Sequence, residues 1–274
     1  MTDVPNPASP APLMTDQAVP QSLLLDPLPS GYTDRFEDSG ALWFCSEPTL
    51  FSAKPGSQEA PSWWGRCGVK TAHPTKPNNG NSTLAVADRV HCLKFTERVN
   101  CGYVIPEALR TQGPFSIAII YAPSGTNEPR TLFTINPWDK GNYAFLSERD
   151  NAIEFTDDQG SFALGHPLKT AGDGFRLVVL SYDGAQFSLM VEGLGAISQQ
   201  SLQPKKDRQC DLFVGCRSHR AGILKTLGDF LLADVFVWPD KDILTSASKT
   251  SGPETGPEYD LLQSYFTEVI TRAL

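Results

Sequence analysis

What most constrains this chain is a rhythm. From Val90 to Trp238, short runs of β-branched, aromatic and aliphatic residues follow one another at about ten-residue spacing, with turn chemistry between them. The runs are Val90–Phe95, Cys101–Ile105, Phe115–Tyr121, Thr131–Ile135, Asn142–Leu146, Ala152–Thr156, Phe175–Ser181, Ala185–Val191, Asp211–Arg217 and Phe230–Trp238. Tyr182-Asp183-Gly184 separates two of them, and Asp-Gly is a hairpin-turn signal because both residues tolerate positive φ. Asp150-Asn151 reads as a second turn. Many short strands joined by turns predict an all-β sandwich or barrel. The 22 glycines and 22 prolines among 274 residues agree, since that share exceeds the average and excludes a helical bundle.

The two ends depart from the rhythm. Residues 1–30 hold seven prolines, three aspartates and no Lys or Arg, which predicts an extended Pro-rich arm, either disordered or ordered on a partner. Residues 31–245 form the predicted sandwich. Its first part, to about residue 88, reads as long loops with one or two short strands, in which Trp63-Trp64 is either a stacking platform or a hydrophobic plug. At the other end Leu261, Leu262, Tyr265, Phe266, Val269 and Ile270 lie on one helical face. Pro257 suits a first helical turn, and Glu258 and Asp260 complement its dipole. A helix over 257–272 packed on the sandwich is therefore expected.

Thirty-one acidic against 23 basic side chains give a net charge of −8, so a nucleic-acid-coating protein is excluded for want of a basic face. No apolar window is long enough for a membrane span. Met1 to Pro20 has neither the positive n-region nor the apolar h-region of a secretory signal. The expectation is a chain made in the cytoplasm. Its six cysteines are then expected to be reduced structural thiols. Cys210, Cys216 and His219 form the most metal-like group, but two cysteines at the ends of one strand would stand roughly 20 Å apart at about 3.3 Å per residue, too far for one zinc.

Four passages carry a resemblance. LKFTERVNCGYVIPEALRTQGPFSIAIIYAPS (Leu93–Ser124), RTLFTINPWDKGNYAFLSERDNAIEFTDDQG (Arg130–Gly160), FRLVVLSYDGAQFSLMVEG (Phe175–Gly193) and LFVGCRSHRAGILKTLGDFLLADVFVWP (Leu212–Pro239) resemble, in order, the strands of the laminin G-like branch of the concanavalin A-like lectin and glucanase superfamily. The resemblance covers roughly residues 85–240. It implies a two-sheet antiparallel jelly-roll sandwich, mostly used to bind glycans or proteins and sometimes to cleave or eliminate them. It also makes calcium conceivable, with Asp139, Asp157 and Asp158 as oxygen donors, though no cofactor is required. The glucanase carboxylate strand is not matched: Glu148-Arg149-Asp150 and Asp157-Asp158 both lack the third carboxylate at the right step. No catalytic residue is assigned, and the chain is read as non-catalytic.

A sugar site needs flat apolar faces and planar polar groups on loops held by a rigid scaffold. Trp138, Asp139, Asn142 and Tyr143 fall within one connection, and Arg217, His219 and Arg220 form a compact cationic loop after a strand, suited to an acidic polysaccharide. His91 reads as a strand residue and His166, before Pro167, as a loop residue. The leading expectation is a lectin-like module for cell-surface glycan, in a homo- or hetero-oligomer, carried on a virion or particle as a spike or fibre component. In that reading the arm is held by a capsid, portal or fibre protein. The alternatives are a glycoside hydrolase or polysaccharide lyase of the same fold, and a purely structural adaptor or oligomerisation domain.

Overall fold

The computed structural model describes residues 31–52, 60–78, 80, 83–124, 129–137, 143–168, 174–200, 208–219, 226–244 and 256–271. The Pro-rich arm therefore lies outside the described residues. The elements in chain order are α1 (Tyr32–Asp38), β1 (Leu42–Cys45), β2 (Phe51–Ser52), β3 (Ser62–Trp64), β4 (Thr71–Pro74), β5 (Thr83–Ala87), β6 (Val90–Phe95), β7 (Tyr103–Arg110) and β8 (Phe115–Pro123). There follow β9 (Arg130–Asn136), β10 (Ala144–Arg149), β11 (Ala152–Asp157), β12 (Ala163–Pro167), β13 (Arg176–Tyr182), β14 (Gln186–Val191), β15 (Gly195–Gln200), β16 (Gln209–Val214), β17 (Phe230–Trp238) and α2 (Pro257–Tyr265). A π-turn, Phe266–Ile270, continues α2.

The strands form two antiparallel sheets. One has the order β15-β14-β13-β8-β17-β6-β5, with β1 also paired to β17; the other has the order β12-β11-β10-β9-β16-β7-β4-β3-β2. Side chains from their facing surfaces make the main core, including Ile117, Ile119, Tyr121, Val178, Leu180 and Val235 from the first sheet and Tyr103, Ile105, Leu132, Leu146, Phe155 and Leu212 from the second. This is the two-sheet sandwich that the strand rhythm requires.

The first sheet is buried on both faces. Along β8 the residues between those core positions, Ala118 and Ile120, join Val179, Phe236 and Trp238 in a second cluster completed by α1 and α2. That is why β8 and β17 read as nearly continuous apolar runs, whereas β11 alternates Ile153 and Phe155 with Ala152, Glu154 and Thr156. Phe36 of α1 packs among Trp43, Phe236, Trp238 and Tyr265, with ring centroids 4.7–6.4 Å apart. Each such fully buried ring contributes about 1.5–3 kcal/mol. Leu261, Leu262, Tyr265, Phe266 and Ile270 are buried as the helical spacing predicts.

The region before residue 88 is more ordered than its composition suggests. It holds a helix and five strands, and the Trp63-Trp64 pair divides by strand parity: Trp63 is fully buried and Trp64 points outward. His166 is also corrected. It lies in β12 and is buried, and Pro167 is tolerated beside it because β12 is an edge strand. The run Asp211–Arg217 ends earlier than read: β16 stops at Val214, where Gly215 turns at φ 73°. The turns follow their chemistry. Asp150 and Asn151 take φ 51° and 57°, and Asp183 accepts backbone N–H bonds from Ala185 (2.6 Å) and Gln186 (2.7 Å).

Candidate functional site

Partner residues in adjacent strands share a sheet face. Following register across the nine-stranded sheet therefore traces one transverse row on its outer surface. The row runs Ser52, Ser62, His73, Val104, Phe213, Thr134, Phe145, Thr156 and Ala163. The chain leaving β16 folds over the middle of it. Gly215 makes that exit possible: its φ is in the left-handed region, and a Cβ there would overlap the Phe95 ring, which is itself stacked on Phe230.

Beyond Gly215, Cys216 packs with Val104, Phe213 and Leu227, and its carbonyl accepts a 3.0 Å hydrogen bond from Thr134 Oγ1. Arg217 then lays its guanidinium over the Phe145 ring, 3.7 Å from the centroid, while its Nε donates to Thr131 Oγ1 at 3.4 Å. Tyr143 faces the same guanidinium from the end of the connection before β10. His219 sets its ring edge-on against Phe213, 5.2 Å between centroids, and its Nδ1 accepts the Lys76 N–H at 3.2 Å. Asn100 Nδ2 donates to the His219 carbonyl at 2.8 Å, anchoring the loop from below.

Of the residues singled out by sequence, the structure brings Tyr143 and Arg217 together and places His219 on the same loop. Trp138, Asp139, Asn142 and Arg220 lie outside the described residues. Among the described residues no carboxylate pairs with Arg217. Burial holds its pKa below the usual arginine range; the Tyr143 phenol opposes that shift and Arg149 adds to it. The result is a half-buried cation stacked on an aromatic ring, beside a phenol and a hydroxyl. Such a group is preorganised for a carboxylate or another planar acceptor. Phe145, Thr131 and Phe213 were not singled out by sequence, although strand parity in Asn142–Leu146 would have set Phe145 opposite the inward Leu146.

The carboxylate pair does not assemble. Glu148 points between the sheets, where it accepts from Tyr121 Oη at 2.7 Å and pairs with Arg176 at 2.7 Å and Arg130 at 3.6 Å. Asp150 is in the exposed turn, 3.5 Å from Arg149. Asp157 is held by Ser161 and Phe162 in its own turn, and those bonds lower its pKa against the opposing effect of burial. Burial raises that of Asp158, with Asp157 adding to it. Among the described residues no three His, Cys, Asp or Glu side chains converge as a metal site, and Asp139 is not among them. None of the six cysteines forms a disulfide, and all six are buried. No described helix is long and apolar enough to cross a membrane.

No family model and no curated protein matches the sequence. The fold is similar to that of Trypanosoma rangeli sialidase in complex with sialic acid (TM-score 0.54, 11% identity, 85% of this chain and 34% of that one). It is also similar to the Botulinum neurotoxin serotype D binding domain (TM-score 0.50, 10% identity, 77% of this chain and 50% of that one). Mouse laminin alpha1 chain, domains LG4-5, superposes at a TM-score of 0.42 with 15% identity over 61% of this chain and 48% of that one, too loosely to weigh. At these identities the likeness establishes the fold alone, a two-sheet antiparallel β-sandwich. The neighbours include an enzyme and a binding domain, and this chain spans a third to a half of their length.

Proposed function

We propose that the protein is a non-catalytic, laminin G-like recognition module that binds an acidic glycan at the loops carrying Tyr143 and Arg217. The observation that carries this reading is the Arg217 guanidinium, stacked on Phe145, bonded to Thr131 and lacking a carboxylate among the described residues. A sugar carboxylate would meet two donors of a planar fork, and the phenol of Tyr143 would serve a neighbouring hydroxyl. A similar sandwich forms part of a sialidase in complex with sialic acid and of a neurotoxin binding domain, and these neighbours support a recognition reading. Glu148, tied to two arginines between the sheets, favours recognition here.

The test compares binding to an acidic glycan and to its carboxyl-reduced counterpart, with turnover of both followed in parallel. Binding lost on reduction, without turnover, is the expected result. Equal binding to both forms would remove Arg217 from the account, and turnover would favour the glycosidase or lyase alternative. Nothing in the fold or its neighbours supports a place on a phage-like particle, and the reading stands without it.

A further inference from the structure

The row across the nine-stranded sheet is covered in the middle and open at its β2–β3–β4 end. There Ser52 and Ser62 are register partners, and His73 stands beside Ser62, its Nδ1 3.5 Å from Ser62 Oγ. Trp64 and its partner Thr71 lie one step along the same face. Trp64 is 51% exposed, whereas Trp43, Trp63 and Trp238 are fully buried. Its orientation is fixed by sequence-distant chemistry: Nε1 donates to Ser52 Oγ at 2.7 Å, which ties the indole edge down to the sheet. A rigid, exposed indole rimmed by hydroxyls and an imidazole, on paired strands rather than a free loop, has the two elements a pyranose needs. One is an apolar plane for its C–H face, and the other is a set of donors and acceptors for its hydroxyls. Ser52, Ser62, Thr71 and His73 supply the second, with no carboxylate or guanidinium among them.

We propose that this outer surface of β2–β3–β4 is a second carbohydrate site, in which Trp64 stacks on a neutral hexopyranose. It stands independently of the Arg217 surface: the first takes its ligand by charge, this one by stacking and neutral hydrogen bonds. One chain would then engage a branched or extended glycan at two points, an acidic unit at Arg217 and a neutral unit at Trp64.

Saturation-transfer NMR with the methyl glycosides of glucose, galactose, mannose and N-acetylglucosamine tests this on the full chain. At least one glycoside is expected to receive saturation at its ring C–H protons, with millimolar affinity. Trp64→Ala should weaken that binding by about tenfold or more, and Arg217→Gln should leave it unchanged. On the wild-type chain the same glycoside should protect the indole from acrylamide quenching, and Trp64→Phe should abolish that change in quenching. Binding that survives Trp64→Ala, no transfer to any of the four, or unaltered quenching on saturation would each overturn the proposal. Loss of neutral-sugar binding in Trp64→Ala with acidic-glycan binding intact separates this site from that at Arg217.

Discussion

Asp234 sits fully buried on the helix-covered face of the first sheet, where Trp43 Nε1 (2.8 Å) and Tyr265 Oη (3.1 Å) donate to its two carboxylate oxygens. Burial pushes its pKa from 3.8 up to about 7, although both hydrogen bonds and Arg66 pull the other way, and Glu47 pushes it further up. Between those two values the folded chain holds a proton that the unfolded chain has released. Stability should therefore fall as pH rises from about 4 to about 7 and level off above that, by on the order of 4 kcal/mol from this residue. Urea unfolding across pH 4–8 checks this: Asp234→Asn should lose that part of the slope, and an identical slope in the variant would contradict it. Gly215 is a second single-residue constraint. Gly215→Ala must strain a left-handed φ and displace the Phe95–Phe230 stack, so a loss of about 2–5 kcal/mol is expected in chemical denaturation. Because Gly215 launches the Arg217 loop, the same variant should also bind acidic glycan more weakly.

Strands β9, β10, β8 and β13 meet through a polar bridge: Arg130, Glu148, Tyr121 and Arg176 join the two sheets across an otherwise apolar core. Glu148→Gln strips both guanidiniums of that carboxylate, and breaking a buried pair in this way costs about 3–5 kcal/mol. The account predicts a marked fall in melting temperature. An unaltered melting temperature together with lost glycan turnover would instead make Glu148 catalytic. At this scale the sequence was uneven in what it disclosed. Long strands were legible because their side chains decide their faces; the apolar continuity of β17 even carries the mark of a sheet covered on both sides. The elements β1 to β4 were not, because two to four residues set among Pro, Gly and Ser hold too little pattern, and their partners lie far along the chain. Helix α1 offered only Tyr32 and Phe36 as buried positions, too few for a helical period. The site was half legible. Arg217 and Tyr143 stood out as polar loop residues, whereas Phe145 and Thr131 are strand residues whose role depends on where the Arg217 loop lands.

The whole molecule is a sandwich with one sheet hidden under α1 and α2 and the other presenting its outer row to solvent and loops. Its cysteines belong to the scaffold: burial raises the thiol pKa of Cys45 to about 12 and of Cys67 to about 11, and pushes Cys92 and Cys216 higher still. A thiol-reactive chromophore at pH 8 should therefore find no fast-reacting cysteine in the native chain, and labelling should track urea unfolding. A rapid native phase would reveal a local opening that the packing does not predict. The exposed sheet is where function is assigned, and its centre is the Arg217 cation on Phe145. The most direct measurement is a calorimetric titration of the wild-type chain and Arg217→Gln with sialyllactose, a hyaluronan tetrasaccharide and lactose. At least one of the two acidic sugars should bind the wild type and bind Arg217→Gln about tenfold or more weakly, since a charge-assisted hydrogen bond is worth about 1.5–3 kcal/mol. Equal affinities of the two proteins for every acidic sugar, or binding to lactose alone, would contradict the account.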